Sequence, residues 1–162
     1  MIEKLKEILF TQLQLMGELL ALLKRETPEL LGVNLEAIAE INDLKESTTA
    51  RIEEYTEPLR QTILDVIASF KFPKKATLVE VVTLLGQQGY EDIPRLFQDL
   101  NTQAKQVQRA AAVNQEVAEI SLSNLEVALI ILAQLLDQSW TYCFSGKYEK
   151  WLAEEIIFSE KV

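Results

Sequence analysis

Neighbouring glutamates are the side chains of this sequence that could carry out acid–base or metal chemistry. Three pairs stand close together in the chain: Glu3 and Glu7, Glu53 and Glu54, and Glu154 and Glu155. Paired carboxylates can hold a magnesium ion or transfer protons during hydrolysis. Each pair, however, lies where the solvent-facing side of a helix would also carry glutamates. A carboxylate-dependent hydrolase would need a metal-dependent activity that no spacing in the chain indicates.

Histidine is absent from the sequence, and cysteine occurs once, as Cys143. The chain therefore lacks the commonest general base and metal ligand, and the Glu-x-x-His pairs of di-iron bundle enzymes cannot occur in it. A single cysteine cannot build a thiolate metal cage or an intrachain disulfide, and we interpret Cys143 as a small apolar filler. We predict that the protein is not an enzyme and has no catalytic residues, metal or cofactor.

The composition predicts one all-α domain. The chain has 162 residues, of which 48% are hydrophobic, so it can bury a substantial core. Five glycines and four prolines are too few for the many tight turns of a sheet protein, whereas good helix formers dominate.

The charge balance disfavours two classes of partner. Twenty-five acidic and sixteen basic residues give a net charge of -9, which repels phosphate backbones and anionic lipids. We therefore expect no nucleic-acid partner. The uncharged runs at 8–17 and 127–136 are shorter than the roughly twenty residues that span a bilayer, and the N-terminus mixes both charges, unlike a secretory signal. We expect a cytoplasmic protein without membrane insertion.

The longest element must be the last one. From Ile93 onward, apolar residues recur every three or four positions for more than forty residues, which predicts a single helix approaching about 70 Å in length. The pattern breaks at residues 142–146. Such a helix favours an elongated antiparallel helical bundle or coiled coil, with three long helices, one short helix and a C-terminal tail.

Turn signals divide the rest of the chain. We expect a first helix from Ile2 to about Lys24, ended by Thr27 and Pro28 and followed by a turn at Gly32 and Asn34. Asn34 is a good N-cap for a second long helix that reaches Phe70, with a kink near residues 54–56 because Pro58 removes one backbone donor.

The spacing of Thr77 and Glu80 predicts a capping box at the start of a short helix, which Gln88 and Gly89 close. Asp92 should cap the long helix, with Pro94 in its first turn. Residues 1–146 are predicted to form the helical bundle. Residues 147–162 are predicted to form a separate amphipathic tail, either pinned on the bundle or ordered only with a partner.

Four features follow one another along the chain in the order of a known family. They are the Gly32-Val33-Asn34-Leu35 turn after a leucine-rich helix, Leu44-Lys45-Glu46 with Arg51 and Arg60 beyond it, Asn114 in the last helix, and the closing segment 141–146. In these features residues 1–146 resemble the FlgN family of flagellar export chaperones. The chain departs from the family pattern at residues 143–145, where small, acidic or proline residues are more usual.

The resemblance implies a function and partners. Members of this family bind the C-terminal helical segments of hook-filament junction proteins, also called hook-associated proteins, and keep these clients monomeric in the cytoplasm. They deliver the clients to the flagellar type III export gate, and no cofactor is required. The alternative, from another class, is a structural coiled-coil protein that self-assembles and has no client.

The second half of the long helix is the predicted partner-binding site. Residues 127–136 are apolar nearly all round the helix, so they need to be covered on more than one side. We predict a groove for an amphipathic client helix along six residues: Leu122, Leu125, Leu129, Leu132, Leu136 and Trp140. The alternative is that the short helix or the tail completes an ordinary core here. In the free protein, we expect the tail or a homodimer to cover this surface.

Two polar residues allow two interpretations each. Asn114 interrupts the apolar stripe, which favours a link between helices over partner contact, and Lys45 is its neighbour if the helix phases agree. Tyr142 presents an apolar ring and a polar tip at the helix end, which suits contact with the client or the export gate. Its alternative is packing beneath the turn at Gly146.

Overall fold

The computed structural model describes the backbone of residues 1–73 and 75–143, and the side chains of residues 1–73 and 75–134. Five helices lie in this part of the chain: α1 (Ile2–Leu31), α2 (Leu35–Glu54), α3 (Thr56–Phe70), α4 (Leu78–Gln87) and α5 (Asp92–Cys143). The described residues contain no strand, which confirms the all-α class. The chain divides into two compact units, Met1–Val117 and Ala118–Val162. The boundary predicted after residue 146 lies outside the described residues, as does the tail.

The predicted end of the first helix near Lys24 is wrong, because α1 passes through Pro28 and ends at Leu31. Proline removes one donor and crowds the preceding turn. The final turn makes up for this with its own hydrogen bonds: the Gly32 N–H donates to the Pro28 carbonyl at 3.0 Å, and the Asn34 N–H donates to the Glu29 carbonyl at 3.0 Å. The helix therefore has two more polar residues, Glu26 and Thr27, available for contacts with its neighbours.

Val33 closes α1 in a conformation that normally calls for glycine. Its φ is 52°, in the left-handed region, while Gly32 before it is right-handed with φ −83°. The Val33 N–H donates to Leu30 and the Asn34 N–H to Glu29, the two bonds of a Schellman motif. A β-branched residue is strained at this position, so the turn holds Val33 at a cost in stability.

The second predicted helix is two helices in the structure. The predicted disturbance at 54–56 is in the right place, but it is a break at Tyr55 and not a kink. Pro58 cannot donate to the Glu54 carbonyl, so the ladder changes there: the Tyr55 N–H turns to Ile52 at 3.2 Å, and the Leu59 N–H donates to Tyr55 at 2.9 Å. Asn34 caps α2 as predicted, accepting a bond from the Ala37 N–H.

The short connection between α3 and α5 follows its sequence signals. The capping box at Thr77 and Glu80 is present, and the Thr77 N–H donates to Glu80 Oε2 at 2.7 Å. These bonds hold the pKa of Glu80 below its ordinary value. Gly89 closes α4 with φ 96°, and α5 begins at Asp92 with Pro94 in its first turn.

The hydrophobic core joins four helices around the N-terminal part of α1. It is built from α1, α3, α4 and α5 by Leu5, Leu9, Val66, Ile67, Val81, Val82, Leu85 and Ile93. At its edge Lys6 Nζ lies 2.6 Å from Asp92 Oδ2. This hydrogen-bonded pair raises the pKa of Lys6 and lowers that of Asp92. The pair aligns the first turns of α1 and α5.

Ion pairs and hydrogen bonds show the helix directions within Met1–Val117. α2 runs antiparallel to α1, as predicted, because Glu18 pairs with Arg51 while Arg25, later on α1, pairs with the earlier Glu40. α5 runs parallel to α1, because contacts at the start of α1 reach Asp92 and contacts near its end reach Asn114. The coiled-coil arrangement of these helices stays a prediction.

Replacing Val33 with glycine should stabilise the fold. Removing the strain of a left-handed valine should stabilise the folded state by about 1–2 kcal/mol. The greater flexibility of glycine in the unfolded chain should offset roughly 0.5–1 kcal/mol of this gain. We expect Val33→Gly to raise the free energy of unfolding by about 1 kcal/mol in urea denaturation followed by circular dichroism. Val79→Gly, at an exposed position in α4, is the control and should lower it by about 0.5 kcal/mol. A Val33→Gly protein no more stable than the parent would contradict the strain.

Two helical glycines should respond oppositely to alanine. A Cβ on Gly86 would lie 2.8 Å from Pro94 Cγ, whereas a Cβ on Gly17 meets only the end of the Gln103 side chain, at 3.4 Å. Alanine favours a helix by about 1 kcal/mol over glycine, but overpacking costs roughly 1–3 kcal/mol. We expect Gly86→Ala to lower the unfolding free energy and Gly17→Ala to leave it unchanged or raise it. Equal effects at both sites would show that α4 does not pack tightly on Pro94.

Candidate partner-binding site

The apolar stripe of α5 begins inside the core. Ile93 is fully buried, Asn114 is 5% exposed, and Leu100 and Val107 between them are half-buried. These positions are seven residues apart, so they lie along one side of the helix. This part of α5 is a packed helix of the first compact unit.

Beyond the first unit, the large apolar side chains of α5 are exposed. Each of the following is 47–59% exposed: Ile120, Leu122, Leu125, Val127, Leu129, Ile130, Ile131 and Leu132. We call residues 120–132 the α5 apolar segment. Monomeric proteins rarely leave so many neighbouring aliphatic side chains in water, so the segment has the character of an interaction surface.

The end of α1 packs against α5 within the first unit. The Thr27 hydroxyl of α1 donates to Asn114 Oδ1 of α5, which lies 87 positions later in the chain. The chain then turns at residues 32–34 and α2 runs back along α1.

Four of the seven predicted site residues lie in this segment. Leu122, Leu125, Leu129 and Leu132 are exposed and share one side of α5. The side chains of the other three, Leu136, Trp140 and Tyr142, lie outside the described residues. Sequence reasoning missed four exposed apolar neighbours: Ile120, Val127, Ile130 and Ile131. The uncharged run to which most of them belong was the signal that could have included them.

Asn114 links α5 to α1, as its place in the stripe predicted. Its Nδ2 donates to the Leu23 carbonyl at 2.7 Å and to Glu26 Oε2 at 2.8 Å. Its Oδ1 accepts a bond from the Thr27 hydroxyl at 2.6 Å. An amide that makes three bonds in a buried place satisfies its polar atoms only in one helix register, so it sets the position of α5 along α1.

Glu26 extends this link to α2. Its second carboxylate oxygen accepts a bond from Lys45 Nζ at 2.6 Å, and the Glu26 side chain is only 8% exposed. Lys45 and Asn114 are therefore joined through a residue that sequence reasoning left out. The prediction that the first helix stops near Lys24 hid it, because Glu26 would then have been in a loop. We call Glu26, Thr27, Lys45 and Asn114 the polar cluster.

Among the described side chains, those of residues 1–73 and 75–134, no group of three or more acidic, histidine or cysteine residues is placed to hold a metal ion. No helix in the described part of the chain is long and apolar enough to cross a membrane.

Comparison with protein families decides the relationship. Residues 1–150 match the model of the FlgN protein family. The chain belongs to the FlgN family. This confirms the resemblance drawn from the turn at Gly32, Lys45 and Asn114, and it implies the general role of a flagellar export chaperone. No curated protein and no solved structure gives a significant match. In this FlgN-family chain, two of the residues that carried the resemblance are members of the polar cluster.

Removing Asn114 should destabilise the fold strongly. Asn114→Ala deletes three hydrogen bonds and leaves buried partners unpaired, so we expect the free energy of unfolding to fall by about 2–3 kcal/mol. Asn101→Ala is the matched control, because Asn101 is exposed on the same helix, and it should change stability by less than about 0.5 kcal/mol. Urea denaturation measures both. Similar losses in the two variants would show that the polar cluster does not hold α1 and α5 together.

Proposed function

We propose that this protein is a non-enzymatic, cytoplasmic export chaperone that binds the C-terminal helical segments of flagellar hook-filament junction proteins. It keeps these clients monomeric and delivers them to the flagellar type III export gate. Membership of the FlgN family supports the general role. The exposed α5 apolar segment supports the binding of a helical client, and it is the observation that carries the proposal.

The chemistry of the segment suits a helix-in-groove contact. An amphipathic helix presents apolar side chains at i, i+3, i+4 and i+7, and the leucines at 122, 125, 129 and 132 have the same spacing. Burying aliphatic surface supplies affinity without demanding particular hydrogen bonds, so one surface can accept clients that differ in sequence. A specific complex of this kind buries about 1,200–2,000 Å² in total.

One side of α5 is favoured as the client side. Leu125 and Leu132 continue the line of Ile93, Leu100 and Val107, which are packed in the first unit. Val127 and Ile131 are equally exposed but lie on a different side of the helix. The client helix then occupies the place on α5 that other helices of the chain occupy earlier in the stripe. Leu136, Trp140 and Tyr142 extend the same surface in the proposal.

The empty surface needs a cover, because a large exposed apolar patch associates with other apolar surfaces. We propose the tail at 147–162 or a second copy of the chain for this role. Deletion of the tail should then increase the binding of a dye that reports apolar surface, or raise the affinity for the client. A deletion that changes neither would leave the homodimer as the cover.

The proposal predicts a defined client complex that depends on one side of α5. We expect light scattering to show a one-to-one species when the full chain is mixed with the C-terminal region of a hook-filament junction protein from the same organism. Leu125→Asp with Leu132→Asp should weaken binding by about 100-fold or more, because each buried leucine contributes roughly 1.5–3 kcal/mol.

The matched control is Val127→Asp with Ile131→Asp, which adds the same charges at similarly exposed positions of the same helix. It should weaken binding by less than about threefold, as peripheral positions do. Equal loss in both pairs would contradict the chosen side. The absence of any complex, with large stable homo-oligomers in every sample, would instead favour a structural coiled-coil protein that assembles with itself.

A further inference from the structure

A groove lies beside the last turns of α3, within the first compact unit. Its volume is about 560 Å³, and five residues line it: Leu64, Ile67, Ala68, Lys71 and Phe72. The first three are spaced as neighbours on one side of the helix, and Lys71 is the charged residue among the five. We call this feature the α3 groove.

The walls of the α3 groove are fixed before any partner arrives. Ile67 is 7% exposed and belongs to the hydrophobic core. The Phe72 N–H donates to the Ile67 carbonyl at 3.0 Å. The Phe72 ring stacks on Phe70 with the ring centroids 5.5 Å apart, and Phe70 meets Tyr90 edge to face at 5.9 Å. A partner therefore finds the groove already shaped, which lowers the cost of binding.

Exposed apolar surface and a lysine without an ion partner meet in the groove. Leu64 is 44% exposed, and Ala68 and Lys71 are exposed as well. No carboxylate among the described side chains lies within ion-pair distance of Lys71. A partner that covers the apolar side chains therefore also meets an unmatched positive charge.

The sequence near the groove has the opposite sign of charge to the chain as a whole. The net charge is -9, yet no acidic residue occurs between Asp65 and Glu80, and this stretch contains lysines at 71, 74 and 75. Asp65 Oδ1 accepts a bond from the Gln61 amide at 3.2 Å, toward the N-terminal end of α3 and away from Lys71. An acidic partner is repelled by the protein as a whole and attracted here, so charge directs it to this end of α3.

Lys71 occupies a backbone position that usually calls for glycine. It ends α3 in the left-handed region, with φ 55° and ψ 36°. Glycine is common there because it has no Cβ, so a lysine costs stability. A positive charge near a helix C-terminus interacts favourably with the helix dipole, but a lysine one turn earlier would do the same without the left-handed backbone. Such conformations are often retained where a side chain has a function.

We infer that the α3 groove is a docking site for an acidic segment of a partner protein. One large apolar side chain of that segment packs on Leu64, Ala68 and Phe72, and a neighbouring carboxylate pairs with Lys71. The site uses no residue of the α5 apolar segment, so the inference does not rest on the proposed function. It gives the protein a second kind of partner.

A protein segment suits the groove better than other anionic partners do. Nucleic acids gain much of their affinity from many phosphate contacts, which a chain with a net charge of -9 opposes. Anionic membranes are repelled in the same way. A small molecule is usually held in a site that covers most of its surface, whereas this groove is open to solvent. An apolar groove beside one lysine matches a large side chain next to an aspartate or glutamate.

Two synthetic peptides test the inference on the full-length protein. Each is about ten residues long with one central phenylalanine as the anchor, flanked by glutamates in one peptide and by lysines in the other. We expect the glutamate peptide to bind about tenfold more tightly in fluorescence anisotropy at low salt, although the net charge of the chain alone predicts the reverse order. Its advantage should shrink at about 0.5 M NaCl, where surface charges are screened.

Matched variants locate the site. Lys71→Gln and Leu64→Ala should each weaken the glutamate peptide by about fivefold or more, because one removes the ion pair and the other removes apolar contact. The controls are Lys105→Gln and Leu44→Ala, which change an exposed lysine and a leucine that is 40% exposed on other helices. Each control should change the affinity by less than about twofold.

Lys71→Gly separates docking from folding. It removes the positive charge and relieves the left-handed backbone, so it should weaken the peptide by about fivefold while raising the midpoint of urea denaturation. A protein that is more stable and yet binds less cannot have lost binding through unfolding.

The contrary outcomes are distinct. No binding of the glutamate peptide, or equal losses in Lys71→Gln and Lys105→Gln, overturns the site. A single-stranded oligonucleotide that binds through Lys71 more tightly than the peptide overturns the choice of a protein partner. Peptide binding that is lost in the Leu125→Asp and Leu132→Asp variant overturns the inference but leaves the proposed function standing, because the peptide then occupies the α5 apolar segment.

Discussion

The buried pairing of Glu26 with Lys45 and Asn114 is the constraint on which the arrangement of the helices depends. Apolar stripes alone allow neighbouring helices to slide by a turn, because leucine packs acceptably against leucine in several registers. The Glu26 carboxylate accepts one hydrogen bond from α2 and another from α5, and both can form only in one register of the three helices. Leaving the buried Glu26 carboxylate without its partners would cost several kcal/mol, so other registers are disfavoured. The cluster therefore determines the position of α5 along α1.

The parts of α5 have different roles. Near Ile93 the helix contributes to a core shared with α1, α3 and α4, and the pair between Lys6 and Asp92 aligns the same end. Toward Asn114 the polar cluster replaces apolar packing. In the α5 apolar segment the same residue types are half in water. The same amphipathic pattern thus stabilises the fold in one stretch of α5 and forms an exposed surface in another. Where other helices pack on the pattern it is buried, and where no described helix does it is exposed.

Local signals predicted most elements, and the errors have a common cause. The capping box at Thr77, the closure at Gly89 and the long last helix depend on a few adjacent residues, and each is present as expected. The errors concern the two prolines. Pro28 was expected to end the first helix, but α1 continues through it to Leu31. Pro58 was expected to kink the second helix, but that helix is divided into α2 and α3. Whether a helix survives proline depends on bonds beyond the next turn, such as the contacts of Glu26 and Thr27 with Asn114. Such contacts cross about ninety residues of sequence, so no local pattern contains them.

The stretch of α5 without lysine or arginine also determines how the protein can be probed. Trypsin has no cleavage site between Arg109 and Lys147, and amine-reactive cross-linkers have no target there. An empty and an occupied α5 would give the same tryptic fragments across this stretch. Reagents that couple to carboxylates have targets at Glu116, Glu119 and Glu126, so these glutamates are the positions at which occupancy of the stretch can be detected chemically.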